Sequence, residues 1–165
     1  MKIPILHLED GIHHLDKTIK SESLNFYQQV YFPHPIEVGA ELNKFEKNIQ
    51  CRIALKTTAV FQCDRCLNMF EQLVDLTFQM LLHVGSTALE TDEDDVINVP
   101  GDVVELDIRD RIAEQLILAV PMKSVCREDC QGMCGGCGKD LNVEECQCEE
   151  TPMDPRWEKL KALKK

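Results

Sequence analysis

Residues 48–62 read NIQCRIALKTTAVFQ, and hydrophobic and polar side chains alternate along most of this segment. The hydrophobic positions fall at odd numbers: Ile49, Cys51, Ile53, Leu55, Ala59 and Phe61. Because successive side chains of a strand point to opposite faces, a period of two predicts a strand with one buried face.

Two neighbouring segments show the same alternation. They are IEVGAELN, residues 36–43, and FEQLVDLTFQMLLHV, residues 70–84. Three consecutive strands with short connections predict an antiparallel β-meander, or a partly closed barrel, whose hydrophobic face must be covered. The fold class predicted from this pattern is α+β.

The segment LDIRDRIAEQLILAVP, residues 106–121, supplies the predicted cover. Asp107 can accept a hydrogen bond in the first turn of a helix, and Pro121 ends the hydrophobic run. Between them Ile112, Leu116, Ile117 and Val120 recur at helical spacing. Residues 15–32 are predicted to form a second helix, and residues 154–165 a short C-terminal one.

Composition predicts a cytoplasmic protein with one main domain. The first residues do not resemble a signal peptide, and the chain has no apolar run long enough to span a membrane. We therefore expect no membrane contact. In a reducing compartment, clustered cysteines are typical of metal or catalytic sites rather than of disulfides, and nine cysteines cannot all pair.

The formal net charge is -11, from 29 acidic and 18 basic residues. This balance argues against a free-standing nucleic-acid clamp, which needs basic surface to neutralise phosphates. It suits a strongly basic partner such as a ribosomal protein, because opposite charges accelerate encounter. The acids in residues 90–95 predict a solvated loop.

Eight of the nine cysteines form four close pairs along the chain, whereas Cys51 lies on the buried face of the predicted strand. The pairs are Cys63 with Cys66, Cys126 with Cys130, Cys134 with Cys137, and Cys146 with Cys148. Eight thiolates would complete two four-cysteine sites, the closed arrangement of structural zinc. Such sites leave no open position for an activated water, so we predict no catalytic residue.

Chain reach favours one division of these ligands without excluding a second. In the first, Cys134, Cys137, Cys146 and Cys148 bind one zinc, and Cys63, Cys66, Cys126 and Cys130 bind the other. Next to Cys137, Gly138 permits the left-handed backbone that turns amide hydrogens toward sulfur. In the alternative, Cys130 joins the tail site and Cys146 or Cys148 is left free. Both predict a main domain of residues 1–121 and a cysteine-rich zinc-binding tail, residues 122–165, packed on it.

Two other chemistries compete with zinc. A thioredoxin-like redox pair would place its C-x-x-C at a helix N-terminus, and neither CDRC nor CGGC lies in such a context. An iron–sulfur cluster also uses four cysteines, but the ferredoxin spacings are not matched. These patterns are less well matched than structural zinc, but they define the alternative function: a thiol- or metal-dependent enzyme acting in redox chemistry or RNA hydrolysis.

The order of these motifs resembles the YceD family, the large ribosomal RNA subunit accumulation proteins of bacteria and plastids. The motifs are C-x-R-C-L, an L-D-I-R helix ending in V-P-M-K-S-V-C-R-E-D-C, C-x-x-C-G-K-D-L-N, C-x-C and D-P-R-W-x-K-L, between about Phe61 and Leu163. Besides the eight paired cysteines, the matching positions are Arg65, Leu67, Gly132, Gly138, Leu141 and Asn142. Met133 stands where the family usually has leucine.

The resemblance implies a non-enzymatic ribosome-biogenesis factor that promotes accumulation of large-subunit ribosomal RNA. The expected partner is a pre-ribosomal large subunit, reached through a ribosomal protein or through rRNA. Direct RNA contact would need a local basic patch, for which the nearest candidates are Arg65, Lys123, Arg127, Lys139 and Arg156, spread among acids.

Overall fold

The computed structural model describes residues 1–26, 31–86, 89 and 95–148, and the chain divides into two compact units. The first unit comprises Met1–Phe61 and Met69–Lys123. The second comprises Gln62–Asn68 and Ser124–Lys165, so a short internal segment belongs to the same unit as the tail. The predicted domain boundary after residue 121 stays a prediction.

The described residues form seven strands and one α-helix. In chain order these are β1 (Lys2–Pro4), β2 (Gly11–Ile19), β3 (Ile36–Phe45), β4 (Asn48–Gln62), β5 (Met69–Val84), β6 (Val96–Val99), β7 (Glu105–Asp107) and α1 (Arg109–Leu118). No helix among the described residues is long and apolar enough to cross a membrane. The cytoplasmic location stays a prediction.

The main sheet has the strand order β2-β3-β4-β5-β6. Its first pairs are antiparallel, with Leu42 opposite Cys51, whereas β5 and β6 run parallel. The hydrophobic side chains at even positions of β3 and at odd positions of β4 are almost wholly buried. The hydrophobic side chains at even positions of β5 line the same core. The three predicted strands are therefore confirmed, and their period of two places one face in the core.

The sheet is open among the described residues, because β2 and β6 are its two edges. A partly closed barrel is thus not the arrangement found. A separate two-stranded sheet pairs β1 with β7, placing Lys2 opposite Asp107.

The helix predicted for residues 15–32 is wrong over its first part. Leu15 to Ile19 belong to β2, which pairs with β3 along nine positions from Gly11 to Ile19. Ser21–Ser23 form a single 3-10 turn, and residues 27–30 lie outside the described residues. Pairing with a long neighbouring strand outweighs the weak helical pattern of this segment, since strand preference depends mainly on context.

The covering helix is confirmed as α1. Ile112, Ala113 and Leu116 are buried in the same core as the sheet. Asp107 accepts a hydrogen bond from the backbone N–H of Arg109 at 3.1 Å, as predicted for the first turn. The predicted C-terminal helix and most of the acidic run lie outside the described residues.

Candidate metal centres

A first cluster joins four cysteine sulfurs from two distant segments of the second unit. Cys63 and Cys66 come from the segment between β4 and β5, and Cys126 and Cys130 from the segment after α1. The Sγ atoms all lie within 4.8 Å of one another, with Cys63 to Cys130 at 3.9 Å and Cys66 to Cys126 at 3.8 Å. Cys63, Cys66 and Cys130 are buried.

In the first cluster the surroundings favour ionisation of one cysteine, Cys63, and oppose ionisation of another, Cys126. Burial raises the pKa of Cys63, but backbone N–H groups, including that of Cys126 at 3.4 Å, donate to its sulfur and lower the pKa to about 6. Burial and the neighbouring sulfurs raise the pKa of Cys126 to about 12. Four thiolates this close would repel one another, so all four can ionise together only around a cation.

A second cluster lies entirely within the tail and is more exposed. It consists of Cys134, Cys137, Cys146 and Cys148, whose Sγ atoms also lie within 4.8 Å of one another. The sulfur of Cys134 is 3.4 Å from that of Cys146 and 3.7 Å from that of Cys148. Cys137, Cys146 and Cys148 are all exposed to solvent.

The same opposition of pKa values recurs in the second cluster. Backbone N–H groups of Cys137 and Gly136 lower the pKa of Cys134 to about 6. Hydrogen bonds with the other three sulfurs, of which that with Cys137 has the largest effect, raise the pKa of Cys148 to about 12. Each cluster therefore offers one readily formed thiolate and needs added positive charge for the rest.

The spacing of the sulfurs fits tetrahedral zinc. With Zn–S bonds of about 2.3 Å, the edge of the ligand tetrahedron is about 3.8 Å. Four sulfur–sulfur separations lie between 3.4 and 3.9 Å, and all the sulfurs of each cluster lie within 4.8 Å of one another. Four thiolate donors without oxygen ligands are also the set that zinc accepts in closed sites.

Both C-x-x-C segments make the same turn. The N–H of Leu67 donates to the carbonyl of Cys63 at 2.9 Å, and the N–H of Gly138 donates to that of Cys134 at 2.9 Å. Leu67 and Gly138 both have positive φ, 60° and 72°. Glycine adopts this left-handed backbone without steric cost, whereas leucine does not. The left-handed backbone predicted at Gly138 is confirmed. Leu67 adopts the same backbone conformation at the equivalent position, although it is not a glycine.

Gly136 is fixed by a different constraint, the close approach of a sulfur. A Cβ atom added at Gly136 would lie 2.7 Å from the Sγ of Cys148. The neighbouring Gly135 has nothing within 4 Å of the corresponding point. A side chain at position 136 would therefore push a sulfur out of the second cluster.

A polar framework holds the cysteine segments in place. The Arg65 guanidinium donates to the carbonyl of Cys130 at 2.9 Å. Asp140 accepts from the Asn68 side chain at 2.7 Å and from the backbone N–H of Asn142 at 2.9 Å. The Asn142 side-chain oxygen in turn accepts from Arg127 and from the backbone of Gln131, each at 2.8 Å. The backbone and side chain of Asn142 lower the pKa of Asp140, which keeps it a charged acceptor.

The structure groups the eight predicted cysteines according to the first division, with Cys130 beside Cys63 rather than in the tail group. Cys51 is wholly buried in the core, as predicted, and burial raises the pKa of its thiol to about 12. The assignment of the eight thiols as metal ligands stays a prediction.

Three of the basic residues predicted as candidates for an RNA patch have polar or acidic partners in the structure, whereas Lys123 is exposed. The RNA patch stays a prediction. Arg65 and Arg127 are engaged in the framework described above, and Lys139 lies 3.2 Å from a carboxylate oxygen of Glu144. Arg156 lies outside the described residues. The sequence did not reveal the roles of Asp140 and Gly136, because both depend on neighbours that only folding brings close.

The chain is thus an α+β protein with one open five-stranded sheet and two groups of four cysteines, each of which could hold a metal ion. The family model "Large ribosomal RNA subunit accumulation protein YceD" matches residues 51–164. The chain therefore belongs to the YceD family.

The chain is also similar to several curated proteins, one of which carries the family name. The Mycobacterium leprae protein ML1660 is 28% identical over 130 residues, which is 76% of this chain and 58% of the relative. The Mycobacterium tuberculosis protein Rv2926c is 34% identical over 103 residues, 61% of this chain and 48% of the relative. A maize protein, "Large ribosomal RNA subunit accumulation protein YCED homolog 1, chloroplastic", is 22% identical over 143 residues, 70% of this chain and 49% of the relative.

The chain thus spans about half the length of these curated relatives. No solved structure matches it.

Proposed function

We propose that this protein is a non-enzymatic ribosome-biogenesis factor that promotes accumulation of large-subunit ribosomal RNA. Its partner would be a pre-ribosomal large subunit, reached through rRNA or through a basic ribosomal protein. The observation that carries the proposal is membership of a family named for this process, over residues 51–164. The net charge of -11 supports attraction to basic ribosomal proteins.

We further propose that each cluster binds one structural zinc ion. The sulfur separations support tetrahedral coordination, and the raised pKa values of Cys126 and Cys148 support a need for a cation. With four cysteines at each cluster, zinc would keep no position for a reacting water, which supports a structural role over hydrolysis.

Elemental analysis of protein purified without chelator tests the metal assignment. We expect about two zinc ions per chain, with the thiols of both clusters slow to react with alkylating reagents. Metal-free protein with rapidly reacting CGGC thiols would instead favour the redox alternative.

Depletion of the protein, followed by gradient sedimentation of ribosomal particles, tests the biogenesis role. We expect less large subunit and less large-subunit rRNA, with small-subunit rRNA as the internal reference. Unchanged large subunits after complete depletion would contradict the proposed function.

A further inference from the structure

A concave surface of the first unit concentrates positive charge in a chain that is acidic overall. It is a cavity of about 370 Å³ whose charged lining residues are Lys2, Lys17, Lys20, Arg109 and Asp107. The four basic side chains come from β1, from β2 and the residue after it, and from the first position of α1. Folding therefore assembles this group from segments that are far apart in sequence.

Other cavities of the same unit have no such excess. The cavity lined by Lys17 and Lys56 also contains Asp16 and Glu37. The cavity beside α1 contains Arg111 with Asp110 and Glu114. Among the cavities compared, only the one that contains Lys20 has clearly more basic than acidic side chains.

Two of its basic residues are compensated and two are not. Arg109 pairs with Asp107 at 2.6 Å, and Lys2 pairs with Glu105 at 3.1 Å. Neither Lys17 nor Lys20 forms an ion pair with any carboxylate in the part of the chain that the structure describes. Both side chains are exposed, so their charges are available to a ligand.

Two of the basic groups, Lys17 and Arg109, act on the Met1 amino group, which lines the same cavity. Burial lowers the pKa of the Met1 amino group, Asp107 raises it, and the positive charges of Arg109 and Lys17 lower it further. Lys17 and Arg109 therefore act on the same small volume. Thr18 and Ser23 are also among the residues that line this cavity.

We propose that this surface, defined by Lys2, Lys17, Lys20 and Arg109, binds the phosphate backbone of RNA. Lysine, arginine and hydroxyl groups are the side chains that contact phosphates, and they fix position without reading sequence. The choice of RNA over an acidic peptide rests on the proposed function. The net charge of -11 disfavours RNA contact over the chain as a whole, which is why a local surplus of positive charge matters.

The test compares the full chain with the double variant K17Q/K20Q in binding to a fluorescent oligouridine RNA across a salt titration. Loss of two phosphate contacts should make the slope of log affinity against log salt shallower by about 1.4. By the same relation, binding should weaken about tenfold near 0.15 M salt. The control K47Q/R52Q removes the same charge from two exposed basic residues outside the cavity and should keep the wild-type slope.

Three outcomes would overturn the proposal. The wild-type chain would fail to bind oligouridine, the control would weaken binding as much as K17Q/K20Q, or a polyglutamate peptide would bind at this site in preference to RNA. Thermal unfolding of both double variants verifies that each retains the wild-type fold.

Complementation separates this inference from the proposed function. If depletion lowers large-subunit rRNA and K17Q/K20Q restores it fully, the surface is not the functional contact, while the biogenesis role stands. If depletion has no effect, the biogenesis role fails, and the oligouridine titration still decides whether the surface binds RNA.

Discussion

Replacing Gly136 with alanine should release metal from the second cluster alone. The added Cβ would lie 2.7 Å from the sulfur of Cys148. Ordinary nonbonded contact begins at about 3.5 Å, so the sulfur or the backbone must move by about 0.8 Å. Metal–ligand distances tolerate only about 0.2 Å, so the displaced sulfur can no longer complete a tetrahedral site.

The expected cost is at least about tenfold in zinc affinity at the second cluster, comparable with the loss of a supporting group at other metal sites. The assay is competition with a chromophoric chelator, followed by the zinc-to-protein ratio after gel filtration. At a chelator concentration that leaves wild type with about two zinc ions, Gly136→Ala should retain about one.

Gly135→Ala is the matched control, because the substitution is chemically identical and its Cβ meets nothing within 4 Å. This variant should retain both metal ions. If Gly136→Ala holds zinc as tightly as Gly135→Ala, the close approach of the Cys148 sulfur does not constrain the site, and the reasoning is refuted.

Four further outcomes are expected. Gly138→Ala should lower the free energy of unfolding by about 1 kcal/mol, because alanine is strained at positive φ, whereas Leu67→Gly should stay within about 1 kcal/mol of wild type in chemical denaturation. Cys126→Ser should remove metal from the first cluster only, as measured by zinc stoichiometry; loss of both ions would contradict independent sites. Graded chelation of wild type should empty the second cluster first, because its sulfurs are exposed. Thiol labelling with mass spectrometry identifies which cysteines become reactive first. Asp107→Asn should destabilise the protein at pH 7, because hydrogen bonding to Arg109 holds the pKa of Asp107 well below its usual range. That stabilisation is complete above the unfolded pKa near 3.9 and is lost as the pH falls below it, so thermal melts of the two proteins should converge in acid; a constant difference would contradict the assignment.

The sequence predicted the long elements of the fold and missed the short or irregular ones. Strands β3, β4 and β5 and helix α1 repeat their hydrophobic pattern often enough to define a period. Strands β1, β6 and β7 have only three or four residues, too few for a period to be recognised. In β2 the pattern is interrupted by Lys17, which is exposed at the sheet edge, so the segment resembled a helix.

Counting and chain reach restrict the cysteine grouping to two divisions, and the structure has the one that chain reach favours. Eight thiols form two groups of four, and a glycine after the second cysteine marks one turn. The equivalent turn at Leu67 gave no such signal, because a leucine at positive φ is recognised only from the backbone. The framework around Asp140 and Asn142 was likewise hidden, since its partners lie in separate segments of the chain.

The two clusters have the same turn but would contribute differently to the stability of the protein. Contacts in the first cluster join residues 60 positions apart, Cys66 and Cys126, whereas those in the second span at most 14, between Cys134 and Cys148. Because the entropy of loop closure grows with the logarithm of loop length, a metal at the first cluster would restrict the unfolded chain by about 1.3 kcal/mol more. The first cluster is also the buried one, so its metal would exchange slowly and its removal would cost more of the fold. The second cluster is local and exposed, and its loss would leave the sheet and α1 intact.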